Sequence, residues 1–365
     1  MIGGLFMSDY LGYMDSLLIE TMNKNATDLH LCVGSRPLMR VSSKLVPVEG
    51  TDIIKPELMK MIAGLYLDDN KMEQLNTNKS VDMSYSKRDL GRFRCNFYLQ
   101  RGTIGLAIRS LPLEIPELES LGLPASTEYF LTKTKGLILI TGASGSGKST
   151  TLASMIKKIN EKHQYHITTV EDPVEYLHRH NKSLVTQKEI GGDALSFSSA
   201  LKASLREDPD VIMVGEMRDM ETVSIALTAA ETGHLVLSTL HTNGAVKAID
   251  RILDAFPTSQ QGQVKSQLAT VLQGIISQQL VPRLDGTGLV VASELMVVTP
   301  AVRNLIREGK HYQINNMIQN GMSQGMVSLE RELATLCNQE VISEDEARIR
   351  AQDMQLFDTY LMALK

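Results

Sequence analysis

Continuous apolar runs alternate with helical stretches along the second half of the chain. The apolar runs occupy residues 137–140, 167–170, 211–214 and 235–237. Runs of this length without polar positions are typical of strands buried on both faces. Between them, apolar residues recur with helical spacing, as over residues 150–162 and 222–232. The alternation predicts a parallel sheet covered by helices on both faces.

The first part of the chain has a mixed pattern. Helical spacing is found over residues 10–23 and 56–67, and the alternation typical of strands over residues 28–33, 37–41, 92–99 and 105–109. Three prolines and one glycine then interrupt any long regular element between residues 111 and 124. We therefore predict an α/β domain at residues 7–110, a linker at residues 111–124 and a second domain at residues 125–365.

The last third of the chain predicts helices. Residues 260–280 place apolar side chains at helical spacing, and Pro282 would end that helix. Three further helices are predicted over residues 299–308 and 328–336 and from residue 344 onward, where Ser343 and Glu346 have the spacing of a capping box. The second domain is thus expected to end in a helical tail.

A glycine-rich segment follows the first apolar run. Residues 142–149 match G-x-x-x-x-G-K-[ST], a loop whose backbone N–H groups surround phosphates, and Thr150 follows it. In this pattern Lys148 reaches the β and γ phosphate oxygens, Ser149 ligates Mg²⁺, and the dipole of the next helix favours the same anion. The residues predicted to bind ATP here are Ser144, Gly145, Ser146, Gly147, Lys148, Ser149 and Thr150. The alternative, a glycine-rich turn without a ligand, is disfavoured because strand, loop and helix agree.

Two acidic residues follow other apolar runs, at the sheet edge where open α/β folds bind ligands. Glu171 comes directly after residues 166–170 and is the predicted catalytic base that orients or deprotonates a water. The alternative is an acid that solvates a turn before Pro173. Glu216 follows residues 211–214 and is predicted to hold a Mg²⁺-bound water. Its alternative role is to stabilise the N-terminus of the next helix.

Two histidines flank the last apolar run. His234 and His241 lie seven residues apart, so an extended chain would place them on opposite faces. His241 is predicted to sense or polarise the γ-phosphate, and His234 to support a subunit contact. A structural histidine is the alternative for either one.

A basic segment lies in the first domain. Residues 87–109 carry six positive charges and one negative charge, among them Arg94, Arg101 and Arg109. The segment could bind nucleic acid, or it could alternate basic side chains with aromatic side chains of a domain core. In a third interpretation some arginines stabilise the triphosphate of a neighbouring subunit.

Composition narrows the classes of function. The chain has 365 residues, 43% of them hydrophobic, and a formal net charge of −5, so bulk charge gives no reason to expect nucleic acid. Its three cysteines are far apart and predict reduced thiols rather than a disulfide framework or a zinc site. No apolar run approaches the ~20 residues of a membrane span and no secretion signal is evident. A cytoplasmic protein without direct membrane insertion is expected.

Together these motifs resemble the PilT-type retraction motors of type IV pili, within the secretion ATPase superfamily. The resemblance is carried by residues 26–31, 91–94, 142–150, 171–175, 215–219, 233–242 and 299–308. These segments follow the order of the family and extend over nearly the whole chain.

The resemblance implies a PAS-like N-terminal domain, a RecA-like P-loop NTPase domain with a helical tail, and a homohexameric ring that uses ATP and Mg²⁺. It implies that Lys148 and Ser149 bind phosphate and Mg²⁺, and that Glu171 is the catalytic glutamate. Glu216 would be the acid of the second nucleotide-binding motif. The candidate arginines between subunits are Arg94, Arg101 and Arg109.

The implied function is ATP-driven retraction of type IV pili, the motion behind twitching motility, at the cytoplasmic face of the inner membrane. The implied partners are a pilus platform protein and a second retraction ATPase. Ala143 and Ser144 stand where many members have Pro and Thr, which favours an accessory PilU-like subunit with a scaffolding role as the alternative. A pilus-assembly or secretion ATPase and a RecA-like nucleic-acid translocase are weaker alternatives. A tetracysteine zinc site is missing, and the net charge is acidic.

Overall fold

The structure is a computed structural model that describes residues 7–42, 44–87, 90–112 and 114–364. The chain divides into two compact units, Met1–Glu114 and Ile115–Lys365. The division falls within the segment of prolines that the sequence predicts to be a linker.

The first unit is built on an antiparallel sheet. Its described strands are β1 (Asp28–Leu31), β2 (Leu38–Val41), β3 (Lys44–Pro47), β4 (Ser80–Lys87), β5 (Gly91–Gln100) and β6 (Thr103–Leu111). Their order in the sheet is β3-β2-β1-β6-β5-β4. The helices described in this unit are α1 (Met7–Asn23), α2 (Pro56–Tyr66) and α3 (Asp69–Asn78).

Strand β5 shows why the basic segment forms a strand. Phe93, Cys95 and Phe97 are buried in the core, whereas Arg92 and Arg94, which alternate with them, are only partly buried. This alternation is the period of two that a half-buried strand requires. The aromatic residues of the basic segment therefore belong to the domain core, as one of the sequence interpretations held.

Helix α3 and strands β3 and β4 were not predicted. Helix α3 is polar and has only one buried side chain, Leu75, so its periodicity is weak. Its N-terminus is capped by Asp68, whose carboxylate accepts a hydrogen bond from the backbone N–H of Lys71 at 2.8 Å.

The second unit is built on a seven-stranded sheet. Its strands are β7 (Gly136–Thr141), β8 (His166–Glu171), β9 (Leu184–Glu189), β10 (Val211–Val214), β11 (Leu235–Leu240), β12 (Leu272–Pro282) and β13 (Leu289–Val297). The order is β13-β12-β7-β11-β10-β8-β9. All neighbouring pairs are parallel except β12 with β13. The parallel sheet predicted from the apolar runs is confirmed.

Helices surround this sheet and form the end of the chain. They are α4 (Lys148–Lys162), α5 (Phe197–Ser204), α6 (Met220–Glu231), α7 (Ala245–Asp254), α8 (Thr258–Val271), α9 (Pro300–Arg307), α10 (Ile314–Asn320), α11 (Leu329–Asn338), α12 (Glu344–Arg350) and α13 (Met354–Leu364). Short 3-10 helices occupy Leu118–Leu121, Ala125–Thr132, His311–Gln313 and Met322–Gln324. Thr299, Ser328 and Ser343 cap α9, α11 and α12, so the helical tail is confirmed.

The helix predicted over residues 260–280 is wrong in its second half. Helix α8 ends at Val271, and Leu272 begins strand β12. The apolar residues of this strand fit a helical period as well as a buried strand, so periodicity alone cannot distinguish them. Residues 272–282 form a strand because they pair with β7 on one side and with β13 on the other. Gly274 allows it, because a Cβ there would lie 2.2 Å from the ring of Phe130.

Candidate functional site

The loop between β7 and α4 has a backbone that requires glycine. Gly142, Gly145 and Gly147 have φ values of 148°, 76° and 89°, which side chains rarely tolerate. A Cβ on Gly142 would lie 2.4 Å from the carbonyl oxygen of Gln278 and equally close to the Ser146 hydroxyl. The loop then enters α4 at Lys148, so the helix N-terminus adds a partial positive charge beside it. This is the geometry of a phosphate-binding loop.

Lys148 is held inside this loop. Its Nζ atom donates hydrogen bonds to the carbonyl oxygens of Gly142 at 2.9 Å and Ala143 at 2.8 Å. Burial lowers the pKa of Lys148, and the negative charges of Glu216 and Glu175 oppose that shift. The charge of Glu216 thus acts on Lys148, so the acid at the end of β10 and the lysine of the loop belong to one region of the structure.

Several hydroxyls at the loop are buried without a protein partner. Within the described residues, the side-chain oxygens of Thr141, Ser146 and Thr151 form no hydrogen bond. Buried polar atoms of this kind are destabilising unless a ligand or water meets them. Ser144, Gly145 and Ser149 are exposed on the same loop and first helical turn. The residues present therefore fit a polyphosphate.

The strands bring the predicted acids and histidine to the same edge of the sheet. Strand β11 pairs with β7 on one side and β10 on the other, and β10 pairs with β8. Because these strands are parallel, their carboxyl ends lie side by side. The phosphate loop follows β7, His241 follows β11, Glu216 follows β10, and Glu171 is the last residue of β8, in that spatial order across the sheet.

Glu171 is the last residue of β8 and is 9% exposed. Its Oε1 atom accepts hydrogen bonds from the Thr169 hydroxyl at 2.6 Å and from Gln187 Nε2 at 3.2 Å. Burial is the largest cause that raises the pKa of Glu171 to about 7, against the effect of these hydrogen bonds. A carboxyl group with this pKa can accept a proton near neutral pH, which is what a general base needs.

The carboxylate of Glu216 lies between the side chains of Arg218 and His241. Its Oε1 atom is 2.5 Å from Nη2 of Arg218, and its Oε2 atom is 3.4 Å from Nε2 of His241. The carboxyl group is 11% exposed, whereas His241 is about half exposed. Glu216 and His241, both predicted from sequence, are therefore in contact at the ends of β10 and β11.

Comparisons with known proteins agree with this geometry. Residues 104–290 match the family model described as type II/IV secretion system protein. The chain is 43% identical over 320 residues to the twitching motility protein of Neisseria gonorrhoeae, covering 87% of this chain and 85% of that protein. It is 41% identical over 336 residues to the type IV pilus retraction ATPase PilT of Pseudomonas aeruginosa, covering 92% and 97%.

A solved structure described as the pilus retraction motor PilT with bound ADP is also similar. The two structures have a TM-score of 0.89 and 44% sequence identity, over 95% of this chain and 99% of that chain. The chain belongs to the PilT family. The predicted fold class, a PAS-like domain followed by a RecA-like ATPase domain with a helical tail, is confirmed for this family member.

The three arginines predicted to act between subunits of a PilT family ring lie in the sheet of the first unit. Arg94 on β5 forms an ion pair with Asp82 at 3.7 Å, and Arg109 on β6 with Asp28 at 2.9 Å. Arg101 is exposed in the turn between β5 and β6, where its φ is 48°. Their contact with nucleotide stays a prediction.

Sequence reasoning missed residues that contact the predicted ones. Thr169 and Gln187 bond Glu171, and the Tyr176 hydroxyl lies 2.9 Å from that of Thr150. Thr169 could have been found, since it is two residues before Glu171 on the same face of a strand. Gln187 could not, because its approach depends on the pairing of β9 with β8. Arg218, which forms an ion pair with Glu216, is a further residue of this kind.

No helix among residues 7–42, 44–87, 90–112 and 114–364 combines the length and apolar character that crossing a bilayer requires.

Proposed function

We propose that this protein is an Mg²⁺-dependent ATPase that works as a homohexamer and powers the retraction of type IV pili. The observation that carries the proposal is the row of groups at one sheet edge, the phosphate loop, His241, Glu216 and Glu171. Membership of the PilT family, with relatives named as a twitching motility protein and a pilus retraction ATPase, supports the mechanical task.

The phosphate loop would bind ATP through the residues predicted from sequence, Ser144, Gly145, Ser146, Gly147, Lys148, Ser149 and Thr150. The solved PilT structure with ADP supports nucleotide as the ligand. Lys148 would exchange its bonds to two loop carbonyls for the β and γ phosphate oxygens. Backbone N–H groups and the α4 dipole would hold the remaining charge.

The donor set for Mg²⁺ is an exposed hydroxyl, Ser149, and the Glu216 carboxylate. Hard oxygen ligands of this kind suit Mg²⁺, which keeps several waters and meets few protein ligands. The ion would neutralise charge on the phosphates. Arg218 and His241 would hold the Glu216 carboxylate in position.

Glu171 would accept the proton of the attacking water. The water oxygen forms a bond to the γ-phosphorus, the proton moves to the carboxylate of Glu171, and the bond from phosphorus to the bridging oxygen of ADP breaks. Arg94, Arg101 and Arg109 of an adjacent subunit would stabilise the charge of the transition state. Removing such an arginine reduces turnover by about 10³ to 10⁵ in known phosphoryl-transfer systems.

The partners of the ring would be an inner-membrane pilus platform protein and a second retraction ATPase. Protein contacts would place the ring at the cytoplasmic face of that membrane. Neither nucleic acid binding nor membrane insertion is part of the proposal.

The test measures ATPase activity, nucleotide binding and oligomer size for the wild type and the variant Glu171→Gln. Glu171→Gln should lower kcat by about 10² to 10⁴ because it removes the proton acceptor, with nucleotide affinity retained. Glu332→Gln is the matched control, since burial also raises the pKa of Glu332, on α11, to about 7. Full activity of Glu171→Gln would reject the catalytic assignment.

Lys148→Ala separates the motor from an accessory subunit with a scaffolding role. A motor predicts that this variant fails to hydrolyse ATP and that cells carrying it lose twitching. Normal twitching in cells that carry Lys148→Ala would favour the scaffolding role.

A further inference from the structure

A hydrogen bond joins the phosphate-loop helix to the segment that follows Glu171. The hydroxyls of Thr150 and Tyr176 lie 2.9 Å apart, and either can be the donor. Thr150 is in the first turn of α4, next to Ser149. Tyr176 lies between β8 and β9 and is 7% exposed. The segment that follows Glu171 thus has a direct contact with the first turn of the helix that follows the phosphate loop.

The side-chain amide of Gln187 completes the connection from Tyr176 to Glu171. Its Nε2 atom donates to the carbonyl oxygen of Tyr176 at 2.9 Å and to Glu171 Oε1 at 3.2 Å. Its Oε1 atom accepts from the backbone N–H of His178 at 2.8 Å. Both N–H groups and the oxygen are therefore used, which fixes the orientation of the amide.

The register of β9 places Gln187 where it can do this. Gln187 is opposite Thr169 in the parallel pair of β8 and β9. Thr169 and Gln187 both donate to the same carboxylate oxygen of Glu171. One side chain on the same strand and one on the neighbouring strand therefore define the direction in which the carboxylate lies.

We propose that Thr150, Tyr176 and Gln187 form a relay that positions Glu171 according to whether the phosphate loop holds nucleotide. The relay rests on the proposed ATPase function. It adds that the position of Glu171 in this site is regulated by nucleotide binding. Tyr176 and Gln187 are positioning residues in it, because they act on the reacting atoms through Glu171 and Thr150.

The chemistry of the two hydroxyls gives the relay a direction. A hydroxyl has one proton to donate and two lone pairs. When Thr150 donates its proton to a phosphate oxygen, it can only accept from Tyr176, so the Tyr176 hydroxyl must be the donor. Without a phosphate, either direction is open. Bound nucleotide therefore fixes the direction of the bond between Thr150 and Tyr176, and Gln187 ties the Tyr176 segment to the carboxylate of Glu171.

The first test is the pH dependence of kcat for Gln187→Met, which keeps the length of the side chain and removes its hydrogen bonds. The bond from Gln187 lowers the pKa of Glu171. Its loss should move the acidic limb of the profile to higher pH, by about half a unit to one unit, so that activity is lost mainly below pH 7. The control is Gln267→Met on α8, which removes an exposed bond of the same type to Glu231 on α6.

A purely structural role would lower activity at every pH without moving the limb. An unshifted acidic limb in Gln187→Met would therefore overturn the relay.

The second test is Tyr176→Phe, which removes only the hydroxyl and keeps the buried ring. We expect kcat to fall by about 3-fold to 10-fold, the effect of one lost hydrogen bond, while KM changes by less than about 2-fold. The acidic limb should stay in place, because Gln187 is intact. Tyr312→Phe, at a tyrosine that is 67% exposed, is the control.

A kcat for Tyr176→Phe equal to that of the wild type, with unchanged melting temperature, would also overturn the relay. Failure of the relay can be distinguished from failure of the proposed ATPase function. If the wild type hydrolyses ATP and Lys148→Ala does not, the ATPase assignment stands whatever Gln187→Met shows. A wild type that binds but never hydrolyses ATP, even as a hexamer, would reject the function itself.

Discussion

The Nε2 atom of His241 lies 3.4 Å from the Oε2 atom of Glu216, across the ends of two adjacent parallel strands. The other oxygen of the carboxylate is 2.5 Å from Arg218. Glu216 is thus oriented from both sides, by a residue two positions along its own segment and by one from the next strand. This contact explains why a histidine and an acid separated by 25 residues belong to one site.

We predict that His241→Ala lowers kcat by about 10-fold to 100-fold, the usual effect of losing a partner that orients a metal-binding side chain. Nucleotide affinity should change little, because the phosphate loop is intact. The measurement is steady-state ATPase activity beside binding of a fluorescent ADP. His234→Ala is the control, since its ring bonds the carbonyl oxygen of Ala229 instead. Equal kcat values for the two variants would show that the contact with Glu216 has no catalytic role.

The pH dependence of the wild type is a second prediction. Glu171 must be deprotonated to take a proton from water, and its pKa is about 7. kcat should therefore rise with pH, falling about 10-fold per unit below pH 7 and levelling above it. Thr169→Val removes a donor that lowers this pKa, so its acidic limb should lie at higher pH. A profile that is flat between pH 5.5 and 8 would contradict the assignment of Glu171 as base.

Protein stability should also depend on pH through Glu294. Burial raises the pKa of Glu294 from its ordinary value of 4.5 to about 7. The folded state then binds a proton that the unfolded chain has lost, so the free energy of unfolding falls as pH rises from 4.5 to 7 and stays lower above it. Glu294→Gln should gain about 1 to 3 kcal/mol at pH 8 and almost nothing near pH 4.5.

Urea denaturation at the two pH values measures this difference. Gln can still accept the bond that Glu294 accepts from the backbone N–H of Ala245 at 2.7 Å. Glu73→Gln, at an exposed position of α3, is the control. The same gain at both pH values would show that the charge of Glu294 is not its cause.

Mixed rings test whether Arg101 acts between subunits. Arg101→Ala and Glu171→Gln should each be nearly inactive when pure. If each site combines Glu171 of one subunit with Arg101 of the next, random mixing restores both groups at roughly one quarter of the sites. ATPase activity should therefore return when the two variants are co-assembled. Activity no higher than that of the two pure variants would place both residues in the same subunit's site.

The sequence predicts those parts of the fold in which the local pattern of apolar residues is enough to determine the secondary structure. Residues 211–214 are the four residues of β10 because an unbroken apolar run has no alternative but burial. Residues 272–282 have a pattern that fits helix and strand alike, and only their pairing with β7 and β13 decides. Local sequence patterns therefore predict local secondary structure, whereas the pairing of distant strands is known only from the structure.

The residues of the candidate site also fall into two groups, those that the sequence predicts and those that only the structure reveals. Glu171, Glu216 and His241 lie at the ends of strands or within two residues of them, and Lys148 belongs to the loop motif that follows β7, so all four could be identified. Gln187 and Tyr176 reach that site from a neighbouring strand and from a loop. Nothing in their local sequence indicates a partner, because the partner is set by the register of β9 against β8.

The ladder of hydrogen bonds between β7, β11, β10 and β8 has a mechanical consequence. The groups that would perform hydrolysis lie at one edge of this rigid sheet. The spacing of the strands cannot change during a turnover without breaking the hydrogen bonds between them. In a power stroke this sheet would therefore move as one rigid unit, and any change of shape would lie in segments outside it.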